Sequence, residues 1–201
     1  MSLRLSGGRK LQSPRGSTAR PTPSRVRQAV MNMLSAELPG CRWLDLCCGS
    51  GVMACEAIQR GARLVVAVDQ DRRMAATARG NLALVASAQI PPANVTVVQQ
   101  DILRWLRQGV SACGLEAALE EGASLAGFDL IYADPPYASG LYPQICEAIT
   151  GGGWLNAGGL LLLECASAQK PALPPGWSVV KERRYGTSTV LMLKPTEDPT
   201  T

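Results

Sequence analysis

An α/β fold, a doubly wound and mostly parallel seven-stranded sheet with helices on both faces, is what this sequence predicts. Two observations lead there. Short apolar or β-branched runs alternate with helical periodicities from about residue 43 to residue 164, a pattern that implies parallel strands joined by crossover helices. The last two runs, Ser178 to Glu182 and Thr189 to Lys194, have only the short Arg183 to Ser188 connection between them, so they are expected as an antiparallel hairpin.

Each element follows from local chemistry. LRLSGGRKLQSPRGSTARPTPS is rich in turn formers and is read as a short strand or hairpin followed by loop, an appendage to the main fold. Ser24 is placed as the cap of a helix reaching about Leu38, with Val26, Val30, Met33 and Leu34 on one face and Pro39-Gly40 as its stop. The strand Trp43 to Leu46 leads through glycines into a helix from about Val52 to Arg60. Arg63 to Val68 is a strand ending at Asp69, and the Ala-rich run from Arg72 to about Ala88 is a helix. Pro91-Pro92 precedes the strand Val95 to Val98, and a helix starts at Ile102. A further short helix is expected before Gly127, then the strand Asp129 to Ala133, a helix from about Tyr142 to Thr150 and the strand Leu160 to Glu164. The expected division is an arm over residues 1–24, a main domain over 25–195 and a tail over 196–201.

Composition narrows the chemistry. The chain has 201 residues, enough for one domain with a substantial core. It has no histidine, which excludes imidazole-dependent nucleophilic or general base catalysis. Its seven cysteines form no C-x-x-C pair, so no metal site is expected; they are read as small buried hydrophobes in a reducing cytoplasm. No apolar run reaches membrane-spanning length, and the first residues lack the apolar stretch of a signal peptide, so a cytoplasmic protein with no membrane partner is expected.

Charge is unevenly placed. Before Glu37 there is no acidic residue, while Arg4, Arg9, Lys10, Arg15, Arg20, Arg25 and Arg27 are all basic; the rest of the chain carries 13 basic against 16 acidic residues. A basic, Ser/Gly/Pro-rich arm on a mildly acidic body is the footprint of a phosphate-backbone partner.

Two constellations carry the chemistry. In WLDLCCGSG a strand runs into Gly49-Ser50-Gly51 at a helix start, where backbone can approach a ligand closely and free N–H groups point outward. Asp69 ends the next strand about twenty residues on, where a carboxylate can accept from both ribose hydroxyls of a nucleoside-containing cofactor. Ala54 stands where dinucleotide-binding loops place a third glycine, so spacing alone leaves a dinucleotide open. Asp45 argues against it: a carboxylate there repels a pyrophosphate but accepts from the amino group of a methionine-type cofactor. Asp101, after the third strand, is placed to accept from an adenine amino group.

The second constellation is Asp134-Pro135-Pro136-Tyr137, directly after FDLIYA. Consecutive prolines stiffen the backbone and remove N–H donors, leaving carbonyls to accept. Asp134 and the Pro135 carbonyl can hold the two hydrogens of a nucleobase amine so that its nitrogen lone pair faces a methyl donor, and Tyr137 can stack on the flipped base. Both constellations fall beyond the carboxyl ends of the strands, where open α/β sheets bind ligands.

WLDLCCGSG, VVAVD and DPPY in this order resemble the amino-group branch of the class I methyltransferases, a Rossmann-like fold. With ARPTPSRVRQAVMNML ahead of LDLCCGSGVMACEAIQRGA, and Tyr185-Gly186-Thr187 near the end, the chain is similar to the bacterial 16S ribosomal RNA guanine-N2 methyltransferases of the RsmD type. The resemblance implies S-adenosyl-L-methionine as cofactor, held by Asp45, Gly49, Gly51, Asp69 and Asp101 with Cys47 and Ile102 beside them. It implies catalysis at Asp134, Pro135, Pro136 and Tyr137. Contacts to ribosomal RNA, within small-subunit assembly particles, are expected from Arg4, Arg9, Lys10, Arg20, Thr22, Arg25 and Arg27 of a monomer. The family usually has Phe-Ala where Cys47-Cys48 stands, and a longer, more basic N-terminal hairpin. Two other readings are an adenine-N6 methyltransferase of DNA and a non-catalytic RNA-binding protein on the same fold.

Overall fold

Alternation along single strands divides the interior in two: Val65 and Ala67 pack with one apolar cluster, Val66 and Val68 with another. A strand buried on both faces needs helices on both sides of its sheet. The computed structural model describes residues 3–14, 23–113, 127–136 and 140–196. Its strands are β1 (Arg42–Leu46), β2 (Leu64–Asp69), β3 (Asn94–Gln99), β4 (Phe128–Ala133), β5 (Leu155–Ala166), β6 (Trp177–Tyr185) and β7 (Ser188–Pro195). They form one seven-stranded sheet in the order β3-β2-β1-β4-β5-β7-β6. The first five are parallel, and β7 runs antiparallel to both β5 and β6. This is the predicted architecture, with the closing hairpin where the sequence places it.

Helices α1 (Ser24–Met33), α2 (Val52–Gln59) and α3 (Arg72–Ala86) cover one face, and α4 (Ile102–Leu106) and α5 (Tyr142–Gly151) cover the other. Several details depart from expectation. Pro23, not Ser24, occupies the cap position of α1 and offers no side-chain acceptor; the helix ends at Met33, and the chain reaches Leu38 through turns closed on the Leu34 carbonyl. Met31 is fully buried on α1 while Met33 is only half-buried. β5 begins at Leu155, five residues before the expected start, because its first half is the glycine-containing NAGG and carries a register shift against β4. A glycine-rich, half-exposed stretch gives no apolar alternation by which to read a strand. The short helix expected in the Gly/Ala/Glu segment up to Gly127 lies outside the described residues; ahead of that segment the chain makes a 3-10 turn, Val110–Ala112.

The N-terminal segment is no loose appendage. Leu5 N donates to the Arg9 carbonyl and Leu11 N to the Leu3 carbonyl, both at 2.9 Å, closing a small hairpin. Leu3, Leu5 and Leu11 are buried in the same cluster as α1, α2 and α3. Three leucines at alternate hairpin positions supply enough apolar area, at about 1.5–3 kcal/mol each, to dock the segment. No described helix is long and apolar enough to cross a membrane.

Candidate active site at the carboxyl rim of the sheet

The register brings the chemistry to one edge. Leu46 at the end of β1 pairs with Val68 of β2 and with Ala133 of β4, so the residues that follow these strands emerge side by side. The loop after β1 is pinned from below and from the side. Cys48 N donates to the Val68 carbonyl at 3.0 Å, Gly49 N to Asp69 Oδ2 at 2.8 Å and Ala54 N to Asp45 Oδ2 at 3.0 Å. Asn81 Nδ2 reaches across from α3 to the Ser50 carbonyl at 3.0 Å.

The two glycines of the loop have different reasons to be glycine. Gly51 caps α2 at φ 74°, and a β-carbon there would sit 2.5 Å from Leu82 Cδ1 and 3.1 Å from Ala78 Cβ, so it is the close approach of α2 and α3 that requires it. Gly49 also has positive φ, but a β-carbon there would meet nothing within 4 Å; its missing side chain leaves open space beside the loop. Cys47 is the single non-glycine with positive φ among the described residues, at 60°, a conformation that costs an L-residue about 1–2 kcal/mol and is typical of functional loops.

Carboxylates converge on this loop. Burial pushes the Cys47 thiol up, and the charges of Asp69, Asp134, Asp45 and Asp101 push it further. Asp45, 1% exposed, is raised to about 8 by burial and by the nearby charges of Asp134 and Asp69, against the pull of the Ala54 N–H. Asp69 is raised as well, chiefly by burial, although both its oxygens accept from backbone: Oδ2 from Gly49 and Oδ1 from Asp71 N at 2.8 Å. Asp45, Asp69 and Asp101 form no salt bridge with a described cation; the described salt bridges are Arg27–Glu56 and Lys170–Glu182. Asp101 caps α4 through Oδ1, which accepts from Arg104 N at 2.9 Å; Oδ2 takes no part in that cap. Ile102, the first residue of α4, is buried beside it.

Asp134 follows β4 directly, half-buried, with its N–H 3.4 Å from the Leu46 carbonyl; Pro135 is buried and Pro136 exposed. Tyr137 lies outside the described residues, as do Arg20 and Thr22. Beneath the loop, Tyr132 donates to Glu164 Oε2 at 2.5 Å and Tyr142 to the Glu164 carbonyl at 3.1 Å, tying β4, β5 and α5 together. Burial and the Glu164 charge push the Tyr132 hydroxyl up, which keeps it a neutral donor.

The basic residues divide. Arg4, Lys10 and Arg25 are exposed, and Arg9 is half-buried with its guanidinium on the Leu84 carbonyl at 3.1 Å. Arg27 is a correction: its side chain is 5% exposed, paired with Glu56 at 3.4 Å and donating to the Arg4 carbonyl at 2.6 Å. It faces the core because position 27 falls on the buried stripe of α1 with Val26, Val30 and Met31. This contact orients the helix. Arg27 lies against Glu56, and Asn32 accepts from Arg60 at 3.2 Å, so α1 and α2 run in the same direction and the Ser24 end of α1 lies toward the rim.

Two participants were missed in the sequence. Glu56 is the single charge in the apolar VMACEAIQ, and Asn81 is a lone amide between Ala78, Leu82 and Val85. Both are fully buried. A polar side chain on an apolar face was the available signal.

The family described as conserved hypothetical protein 95 matches residues 5–194. The chain belongs to that family. The resemblance to the RsmD type read from its motifs is thereby borne out. "Ribosomal RNA small subunit methyltransferase D" of Escherichia coli (strain K12) is 27% identical over 180 residues, 89% of this chain and 81% of that protein. "Putative rRNA methyltransferase YlbH" of Bacillus subtilis (strain 168) is 27% identical over 188 residues, 93% and 94% of the two chains. Among solved structures, "Putative methyltransferase yhhF from Escherichia coli" superposes with a TM-score of 0.78 at 24% identity, covering 98% of this chain and 100% of its own. "SMU.776, a putative methyltransferase complexed with SAH" does so with 0.62 at 15%, covering 83% and 48%. The fold is that of the class I methyltransferases.

Proposed function

We propose that this protein transfers a methyl group from S-adenosyl-L-methionine to the exocyclic N2 amine of a guanine in small-subunit ribosomal RNA. The observation that carries the reading is that Asp45, Asp69 and Asp101 gather around the Cys47–Gly51 loop with no salt bridge to a described cation. An acidic cluster of this kind, with Asp45 buried at its base, is matched by a ligand bearing positive charge. The donor set fits: Asp45 beside the loop can accept from an ammonium group, Asp69 at the end of β2 from ribose hydroxyls, and the space left by Gly49 admits a ligand against the backbone.

When bound, S-adenosyl-L-methionine supplies an electrophilic methyl group on a sulfonium. The chain's own residues do the rest. Asp134 accepts a hydrogen of the amine and, with the Pro135 carbonyl, turns the nitrogen lone pair toward the donor; once methylated, the amine is acidic enough to release its proton to Asp134 or to water. No imidazole is required, in keeping with a chain that has none. The relatives named for ribosomal RNA support the substrate, and the exposed Arg4, Lys10 and Arg25 support a phosphate partner. An assembly particle as the natural substrate, a cytoplasmic setting and a monomeric enzyme belong to the same proposal.

A methyl-transfer assay with labelled cofactor, run on purified ribosomal RNA, on small subunits and on a DNA duplex, tests it. Label in guanine of the ribosomal RNA is the expected result; label in duplex adenine, or in neither, would remove the reading. Asp134→Ala should abolish turnover while cofactor binding measured by calorimetry stays within a few-fold of wild type. Turnover near the wild-type rate would show that the amine is held elsewhere.

A further inference from the structure

We propose that the rim end of the edge strand β6, Arg183 and Arg184 with Lys181 one step below, is a second phosphate-contact surface for the RNA substrate, apart from the N-terminal arm. The inference rests on the ribosomal RNA reading above. Its physical basis is the sheet register. Ala133, Leu163, Leu191 and Glu182 form one row across β4, β5, β7 and β6. Asp134 is the residue after Ala133 and Arg183 the residue after Glu182, so both step off the same row toward the carboxyl rim. Three strand spacings separate them, about 14 Å. That is close enough for a strand presenting its base at Asp134 to lay neighbouring phosphates along β6.

The charge of this edge is uncommitted. Arg183 and Arg184 are exposed, and their described hydrogen bonds go to the backbone carbonyls of Glu182 and Gly186, which neutralise nothing. The one acidic residue of the run, Glu182, is already paired with Lys170 at 2.7 Å. Pairing also places the two arginines on opposite faces of the edge. Arg183 opposes Val190, whose side chain joins the α1–α3 cluster, and Arg184 opposes Thr189, its neighbour on the other face. Because the Ser24 end of α1 also points to the rim on the α1–α3 face, Arg25 and Arg183 flank the candidate site from two elements. Half-buried Tyr185 fixes the strand end by packing on that cluster.

The opposite end of the sheet supplies a matched control. Arg63 precedes β2 and Arg107 follows α4, both exposed and at the amino end of the strands. Full-length Arg183→Ala/Arg184→Ala and Arg63→Ala/Arg107→Ala proteins lose the same net charge. RNA affinity is measured against a 16S ribosomal RNA fragment between 50 and 200 mM KCl, with KM and kcat from methyl transfer and cofactor affinity by calorimetry. The rim pair should weaken RNA binding and raise the KM for RNA, leave kcat and cofactor affinity unchanged, and flatten the slope of log K against log[salt] by about 1.4–1.8, two phosphates' worth. The control pair should leave that slope near wild type. Equal losses in both variants would reduce the effect to net charge and overturn the proposal, as would a rim variant with wild-type KM and slope. A wild-type protein that neither binds nor methylates RNA would instead remove the functional reading itself.

Discussion

Two buried carboxylates meet α2 in opposite surroundings. Glu56 Oε1 accepts from Ser6 N at 2.9 Å and Ser6 Oγ at 3.0 Å and is paired with Arg27, although its Oε2 has no hydrogen-bond partner among the described residues. Asp45 accepts from the Ala54 N–H and has other carboxylates as its charged neighbours. One acid is balanced inside the protein and holds the hairpin, α1 and α2 together. The other forms no described salt bridge, and under the proposed function the cofactor would balance it from outside, a charge kept for a ligand as against one built for the fold.

The largest effect is expected at the Arg27–Glu56 pair. Arg27→Ala leaves a buried carboxylate without its cation and should cost about 3–5 kcal/mol in denaturant unfolding. The double change Arg27→Met/Glu56→Leu should recover most of it. If Arg27→Ala unfolds like wild type, the pair is not what docks the hairpin.

At the unbalanced side the expectation has the opposite sign. Asp45 is raised to about 8 from an ordinary carboxylate value, so the folded state binds more protons than the unfolded state across the interval between. Stability of the ligand-free protein should therefore fall as pH rises from about 4 to about 8, by no more than about 1.4 kcal/mol per pH unit, and level off above. Asp45→Asn should flatten that slope and raise stability near pH 8 while losing cofactor affinity; a variant with an unchanged slope would show that Asp45 does not titrate in this range.

The glycines sharpen the contrast. Gly51→Ala meets both an unfavourable φ and Leu82, so a loss of about 2–4 kcal/mol is expected in thermal unfolding. Gly49→Ala has room and should cost about 1–2 kcal/mol, with its larger effect on cofactor affinity by calorimetry. Equal stability losses would mean that the two positions do not differ as described. Smallest is Asp101→Ala, about 1 kcal/mol from loss of the α4 cap, read in the same unfolding assay.

Much of the fold was legible because period and length agree with it. VVAV and FDLIYA could only be strands buried on both faces, and the Gly-x-Gly turn and DPPY could only fall where strands end. What escaped was set by partners distant in sequence. Arg27 reads as one more basic residue of the arm until Glu56 is found 29 residues away. LRLSGGRKL reads as a short strand or hairpin appended to the fold, with nothing to show that its leucines join the α1–α3 cluster, and NAGG hides the first half of β5 behind glycines. Asp101 could be a cap or a ligand contact on sequence grounds; geometry makes it a cap with one oxygen outside it.

The insertion of β7 between β5 and β6 has a consequence for how the protein comes into being. β7 follows every other strand in the sequence yet lies inside the sheet, so Leu161 to Leu163 keep an unpaired backbone flank until Ser188 to Pro195 arrives. A nascent chain that has made its first five strands therefore presents a ready template for foreign strands. During synthesis that flank stays open until Ser188–Pro195 pairs along β5 and covers it.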